Sequence, residues 1–300
     1  MMKNLKFKLA FIGVLFFSTT LFSQGFYLTT SGGYAFTMNG KNGLASNRSE
    51  ESVYDSSGGQ SMRSSTTESV SLSYGKGVDF GGSVGYMFND YLGIDLGFNY
   101  LVGGVTKTNN NSIYTEIGPI ITNVVKRSEI TKNYSRMFRV IPSIVLTPNF
   151  EKINPYIKIG AVLGFGSFYA ESESESFKNG SKESAYSFAY KSNGGLALGF
   201  NAGLGASYTI SNKLSLFGEV SYIGMSYAPQ KSVVTKWENH GTDLLPNLST
   251  NQKEIAYVDE YTQVQNATNP DEPMKQLFFS QPFSSLGFNF GIKLNLTASK

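Results

Sequence analysis

The sequence predicts an all-β fold: an antiparallel, up-and-down transmembrane β-barrel of eight strands, with ten as the alternative. Three observations lead there. From 196 to 210, Leu196, Leu198, Phe200, Ala202, Leu204, Ala206, Tyr208 and Ile210 take every second position, and Ala197, Gly199, Asn201, Gly203, Gly205, Ser207 and Thr209 fill the gaps. A period of two marks a strand with one apolar face and one small, polar face. This run is far longer than the usual strand of about five to six residues. Second, it stops only at Ser211-Asn212-Lys213, and another alternating run follows at once. Third, the connections between such runs alternate between long and short along the whole chain. Long strands of this kind suit a membrane, where every backbone polar group must pair and only helices and closed barrels achieve that.

The amino terminus reads as an export signal. Lys3, Lys6 and Lys8 precede an apolar run at 9–17, which is shorter than the roughly 20 residues a spanning helix needs. Residues 1–23 are the expected cleaved signal peptide, with the bond near Ser23 or Gln24. The chain has no cysteine, so neither a cysteine-linked lipid anchor nor a disulfide framework is expected. Later apolar stretches are too short for a spanning helix. Mean hydropathy is −0.16 although the chain holds Gly 32, Tyr 18 and Phe 23. Alternation explains this, because half of each strand is polar. A net charge of +3 without a basic run gives no support to nucleic-acid binding.

Taken in order, the strands are expected at 26–37, 74–88, 91–103, 133–147, 155–167, 196–210, 214–227 and 283–296. Each carries its apolar residues on one parity: Phe26, Leu28, Tyr34 and Phe36 in the first, Val78, Phe80, Val84 and Tyr86 in the second. Ile94, Leu96, Phe98 and Tyr100 do so in the third, Phe138, Val140, Ile144 and Leu146 in the fourth, and Ile157, Ile159, Ala161, Leu163 and Phe165 in the fifth. Asn89-Asp90 and the proline-bounded 148–154 are short turns. The segments 39–73, 104–131, 168–192 and 228–281 read as long loops by composition. Within them 69–75 and 184–192 still alternate and are expected to project as strands, while 113–125 is apolar enough for an extra hairpin or lid, the source of the ten-strand alternative. Barrels of the outer membrane have short periplasmic turns and long extracellular loops, and the long–short order matches that sorting.

With the apolar parity toward lipid, Asp79, Asp95, Arg139, Lys158, Glu219 and Lys293 point into the barrel, three acids and three bases. A charge facing lipid near the midplane costs roughly 2–4 kcal/mol, which enforces this parity. Eight strands leave a bore that side chains fill, so the six charges are expected to pair. Glu219 with Lys293, on consecutive strands, is the favoured pair, and Glu219→Ala is expected to weaken the barrel by stranding Lys293.

The loops offer little chemistry. Glu171, Glu173 and Glu175 of the ESESES repeat share a face, but lack the varied ligands and turn glycine of a calcium loop and read as a solvated segment. Trp237 and His240 are the sole residues of their types. His240 and Asp243 are two of the groups a lipid-modifying rim enzyme would need, but no nucleophile motif accompanies them. Gly199, Gly203 and Gly205 are barrel-interior spacing without phosphate-loop context. No catalytic residue, metal site or cofactor is expected.

The residues 154–166 (NPYIKIGAVLGFG), the paired run 195–222 and the final LGFNFGIKLNL at 286–296 resemble the small outer-membrane β-barrel families, OmpA- and OmpX-like barrels and outer membrane protein beta-barrel domains. That resemblance implies residence in the bacterial outer membrane, contact with its lipid bilayer, and recognition of the last strand by the barrel assembly machinery. Such barrels usually end on an aromatic, whereas here 297–300 follow Leu296 and the aromatics Phe288 and Phe290 lie further in. The expected function is a structural or surface-interaction barrel with a filled lumen, its loops free to bind a surface ligand. A small-solute transport barrel is the alternative, and a lipid-modifying enzyme is a more distant third.

Overall fold

The computed structural model describes residues 25–38, 44–54, 59–117, 122–262 and 269–296. The expected signal peptide at 1–23 lies outside the described residues. Eight strands form the barrel: β1 (Phe26–Thr37), β2 (Gly77–Met87), β3 (Leu92–Gly103), β4 (Thr122–Leu146), β5 (Ile153–Lys178), β6 (Ala197–Ser211), β7 (Leu214–Tyr227) and β8 (Ser285–Asn295). Each is antiparallel to the next. β1 also pairs with β8, Thr30 opposite Ile292, so the ring closes without a free edge. Among the described residues 17 strands share this one sheet, and those outside the ring belong to the long connections. Above the ring Thr106–Ile117 pairs antiparallel with the start of β4, Ile113 opposite Lys126, so the described part of the apolar segment 113–125 adds no strand to the barrel.

The alternation dictates the faces. Leu198, Phe200, Leu204 and Ile210 are all more than half exposed, and so is Phe290, to the solvent that is here lipid. On the other parity Tyr27, Asp79, Asp95, Arg139 and Asn201 are buried. Short turns close one end. At 88–91 the Asn89 side chain accepts hydrogen bonds from the backbone N–H groups of Tyr91 and Leu92, both 2.9 Å. One irregularity falls inside the wall. The β4–β5 ladder passes from Val140 opposite Leu163 to Ser143 opposite Gly160. It lapses at Pro142, which has no N–H to donate.

The opposite end departs from expectation. Of the segments 39–73, 104–131, 168–192 and 228–281, read as loops by composition, the first three are largely strand among their described residues, Ser181–Asn193 including the projection expected at 184–192, and the fourth holds several shorter strands. β4 and β5 run on past the ring, Lys132 opposite Glu171 and Arg127 opposite Ser176. A tight turn at Asn179-Gly180, with φ 49° and 86°, then sends the chain back as Ser181–Asn193. Both central residues at positive φ suit a two-residue hairpin, for which Asn-Gly is the preferred pair. Lys231–Asn239 pairs with that returning strand, and Glu254–Val258 and Met274–Leu277 extend the sheet. On the other side Leu44–Tyr54 runs parallel to Thr106–Ile117 and carries Gln60–Val70 beyond it. These strands are rich in Ser, Thr, Asn, Glu and Lys, so they lack the apolar parity that marks a barrel strand. ESESES sits on the β5 extension, where Lys132 pairs with Glu173 at 3.2 Å and Lys182 with Glu175 at 2.7 Å.

Candidate functional site

The lumen is the site that the topology builds, and it is filled in tiers. At the extracellular mouth Leu72, Tyr74 and Phe283 are buried against Leu101, Met137, Phe168, Met225 and Tyr227. The stretches carrying Tyr74 and Phe283 were expected to start strands two and eight. They instead turn across the opening, where the N–H groups of Tyr74 and Phe283 donate to the carbonyls of Pro282 and Met225, each at 2.9 Å. Ring centroids of Tyr74 and Phe168 are 4.9 Å apart, and those of Tyr74 and Phe283 5.5 Å. Burying one such side chain is worth about 1.5–3 kcal/mol, which favours a closed mouth over strands that continue upward. Burial pushes the phenols of Tyr74 and nearby Tyr190 above the ordinary tyrosine range.

Beneath it lies Arg139, which has no exposed surface. Its guanidinium donates to both carboxylate oxygens of Asp79 and, through Nε at 2.9 Å, to Asn99 Oδ1. The third tier is a bridge across the bore. Lys158 on β5 places its Nζ 3.5 Å from Asp95 Oδ1 on β3 and 3.7 Å from Glu219 Oε2 on β7. Asp95 also accepts from Tyr27 (2.9 Å) and Ser83 (2.7 Å). Nearest the periplasm, the Lys293 ammonium stands 4.2 Å from the centroid of the Tyr27 ring, a cation–π contact.

The favoured pairing of Glu219 with Lys293 is therefore corrected. Glu219 is opposite Asn289 in the β7–β8 ladder, while Lys293 is opposite Ser215. Four register positions separate the two, about 13 Å along the strands. Lys158 reaches Glu219 from across the lumen instead, because in a bore this narrow the facing wall is closer than a distant position on the adjacent strand.

Two cavities lie on either side of that bridge, one of about 80 Å³ toward Asp79 and Asn289, the other of about 30 Å³ toward Tyr156 and Lys293. Lys158, Phe217 and Thr29 wall both. The large inward side chains fit because glycines face them: a methyl at Gly85 would overlap the Tyr27 ring, and one at Gly205 the Tyr156 ring. Tyr27, Tyr156, Asn99 and Phe217 were not singled out from the sequence, although their parity already placed them inward.

The rim residues take structural places. His240 and Gly241, at φ 50° and 78°, form the tight turn after Lys231–Asn239. The His240 Nδ1 lies 2.8 Å from Asn239 Oδ1, and Asp243 accepts from the Leu245 N–H at 2.9 Å. Trp237 packs edge-on against Phe188 at 5.3 Å.

The family described as "Outer membrane protein beta-barrel domain" matches residues 9–240. A solved structure titled "Crystal structure of Acinetobacter baumannii CarO2" is similar at 13% identity, covering 89% of this chain and 98% of that one, with a TM-score of 0.31. No curated protein matches.

Proposed function

The chain belongs to the outer membrane protein beta-barrel domain family, and on that premise we propose that it is a structural and surface-interaction barrel of the bacterial outer membrane. Its lumen is closed by side chains, and its extracellular strands supply the binding surface. The observation that carries this reading is the bridge from Asp95 through Lys158 to Glu219, which stands between the two small lumen cavities. A charge stripped of its partner in such a site is strongly unfavourable, so the bridge resists opening. The aromatic cluster of Tyr74, Phe168 and Phe283 at the mouth adds a second barrier.

In this reading β8 is also the strand the assembly machinery engages, through the outward aromatics Phe288 and Phe290. A transport role would use the cavity of about 80 Å³, with its Asp79, Asn99, Asn201 and Ser221 lining, and would require Lys158 to swing aside. Enzymatic lipid modification has less support, since His240 and Asp243 are occupied in turn geometry. Refolded protein without residues 1–23, reconstituted in a planar bilayer, distinguishes these. The expected result is silence from a sample that keeps a heat-shifted gel band; steady ion-dependent steps would overturn the closed-lumen reading in favour of transport.

A further inference from the structure

The outward face of β4 changes chemistry at one level. Leu146, Ile144, Pro142, Val140 and Phe138 face lipid, and the same parity then continues as Arg136, Tyr134 and Lys132. From Leu146 to Arg136 is ten residues, about 33 Å of strand and about 25 Å of height at the usual barrel tilt. That equals the height of the apolar band of such barrels, so Arg136 stands at the outer edge of the membrane.

The cross-strand register widens this level into a patch. Tyr134 is opposite Tyr169, and Tyr169 opposite Lys191; Lys132 is opposite Lys107. The rings of Tyr134 and Tyr169 are stacked, 4.9 Å apart with their planes at 10°, and the Lys191 ammonium is 5.8 Å from the Tyr169 centroid. Arg136 and Lys107 are exposed. Among the described residues no carboxylate lies within ion-pair distance of Arg136, Lys107 or Lys191. The acids of this face, Glu171 and Glu173, sit further up and are engaged by Tyr134 (2.7 Å) and Lys132 (3.2 Å). Around the other half of the rim the corresponding outward positions are Met38, Leu196, Ser226 and Leu286, without a basic side chain.

We propose that Arg136, Lys107 and Lys191, with the Tyr134–Tyr169 pair, form a docking surface for the phosphorylated sugar headgroup of an outer-leaflet glycolipid. Basic side chains at a membrane surface attract anionic headgroups, and a guanidinium matches a phosphate through paired N–H donors. The stacked tyrosines add an aromatic surface beside the cations on which a sugar ring can pack, and Phe138 and Phe165 directly below suit acyl chains. A membrane lipid meets all three features at once, whereas free phosphate meets only the first. This surface is on the outer wall, so it stands whether or not the lumen conducts.

The test uses the refolded barrel in phosphatidylcholine vesicles titrated with fluorescent lipopolysaccharide. The triple variant Arg136→Gln/Lys107→Gln/Lys191→Gln is expected to bind roughly 100-fold more weakly, with the heat-shifted gel band retained. A control variant, Lys152→Gln/Lys213→Gln at the periplasmic turns, is expected to bind like the parent, and Arg136→Lys alone to keep most of the affinity. Equal binding by the triple variant and the parent would overturn the proposal. So would equal binding of enzymatically dephosphorylated glycolipid, or displacement by millimolar inorganic phosphate, which would mean a site for free anions.

Discussion

β4 and β5 pass through two solvents, and the two halves of each strand solve opposite problems with the same alternation. Below Arg136 the apolar residues face outward and the charge faces in: Arg139 on β4, buried, and Lys158 on β5, mostly buried, are bound to Asp79, Asp95 and Glu219. Above it the outward parity carries Lys132, Glu171 and Glu173, paired at the surface in water. The backbone geometry is continuous across the change, one ladder from Val125 to Leu146 apart from the lapse at Pro142. The difference teaches that strand propensity does not set which face is polar; the medium outside the wall does. It also separates two kinds of ion pair that look alike on a contact map. Inside, an unpaired charge has no water to return to; outside, it does.

Breaking one pair of each kind tests that contrast. The largest effect is expected from Arg139→Ala, which leaves Asp79 buried without its cation and should lower unfolding stability by about 3–5 kcal/mol. A urea series read by heat-modifiability on a gel measures it. The double variant Asp79→Leu/Arg139→Met should recover most of that loss, since replacing both partners with apolar side chains removes the stranded charge. A double variant as weak as the single would mean that the pair serves packing geometry rather than charge balance. Glu219→Ala comes next, at about 1–3 kcal/mol, because Lys158 keeps Asp95 at 3.5 Å. An unchanged heat shift in that variant would remove Glu219 from the bridge. The smallest effect is expected from Lys132→Ala, within about 1 kcal/mol, its partner Glu173 having more than half of its side chain exposed. If Lys132→Ala matched Arg139→Ala, the inside–outside distinction would collapse.

Much of the architecture is legible in the sequence. The parity of Phe26, Val84, Ile94, Ile144, Ile159, Leu204 and Phe290 assigned the lipid face, and the long–short order of connections assigned the two ends. The extracellular strands were legible only in part, 184–192 by its alternation and 113–125 by its apolar content, because most of Thr106–Ile117 and Ser181–Asn193 faces water and carries no continuous apolar stripe. Asn179-Gly180 was a further signal there, as a hairpin-turn pair. His240-Gly241 was legible as a turn for the same reason, though His240 drew attention for its rarity instead.

By itself the sequence determined that the chain alternates in long strands, that six charges share the inward face, and that their signs balance. Those are local properties, set by side-chain order and a period of two. Only the tertiary structure decided which charges meet, that Tyr74 and Phe283 leave their strands to seal the mouth, and that Lys107, Arg136 and Lys191 gather on one side of the rim. Each depends on closure. Joining β1 to β8 brings β3, β5 and β7 to face one another across a bore a few side chains wide, and no spacing along the chain records that distance.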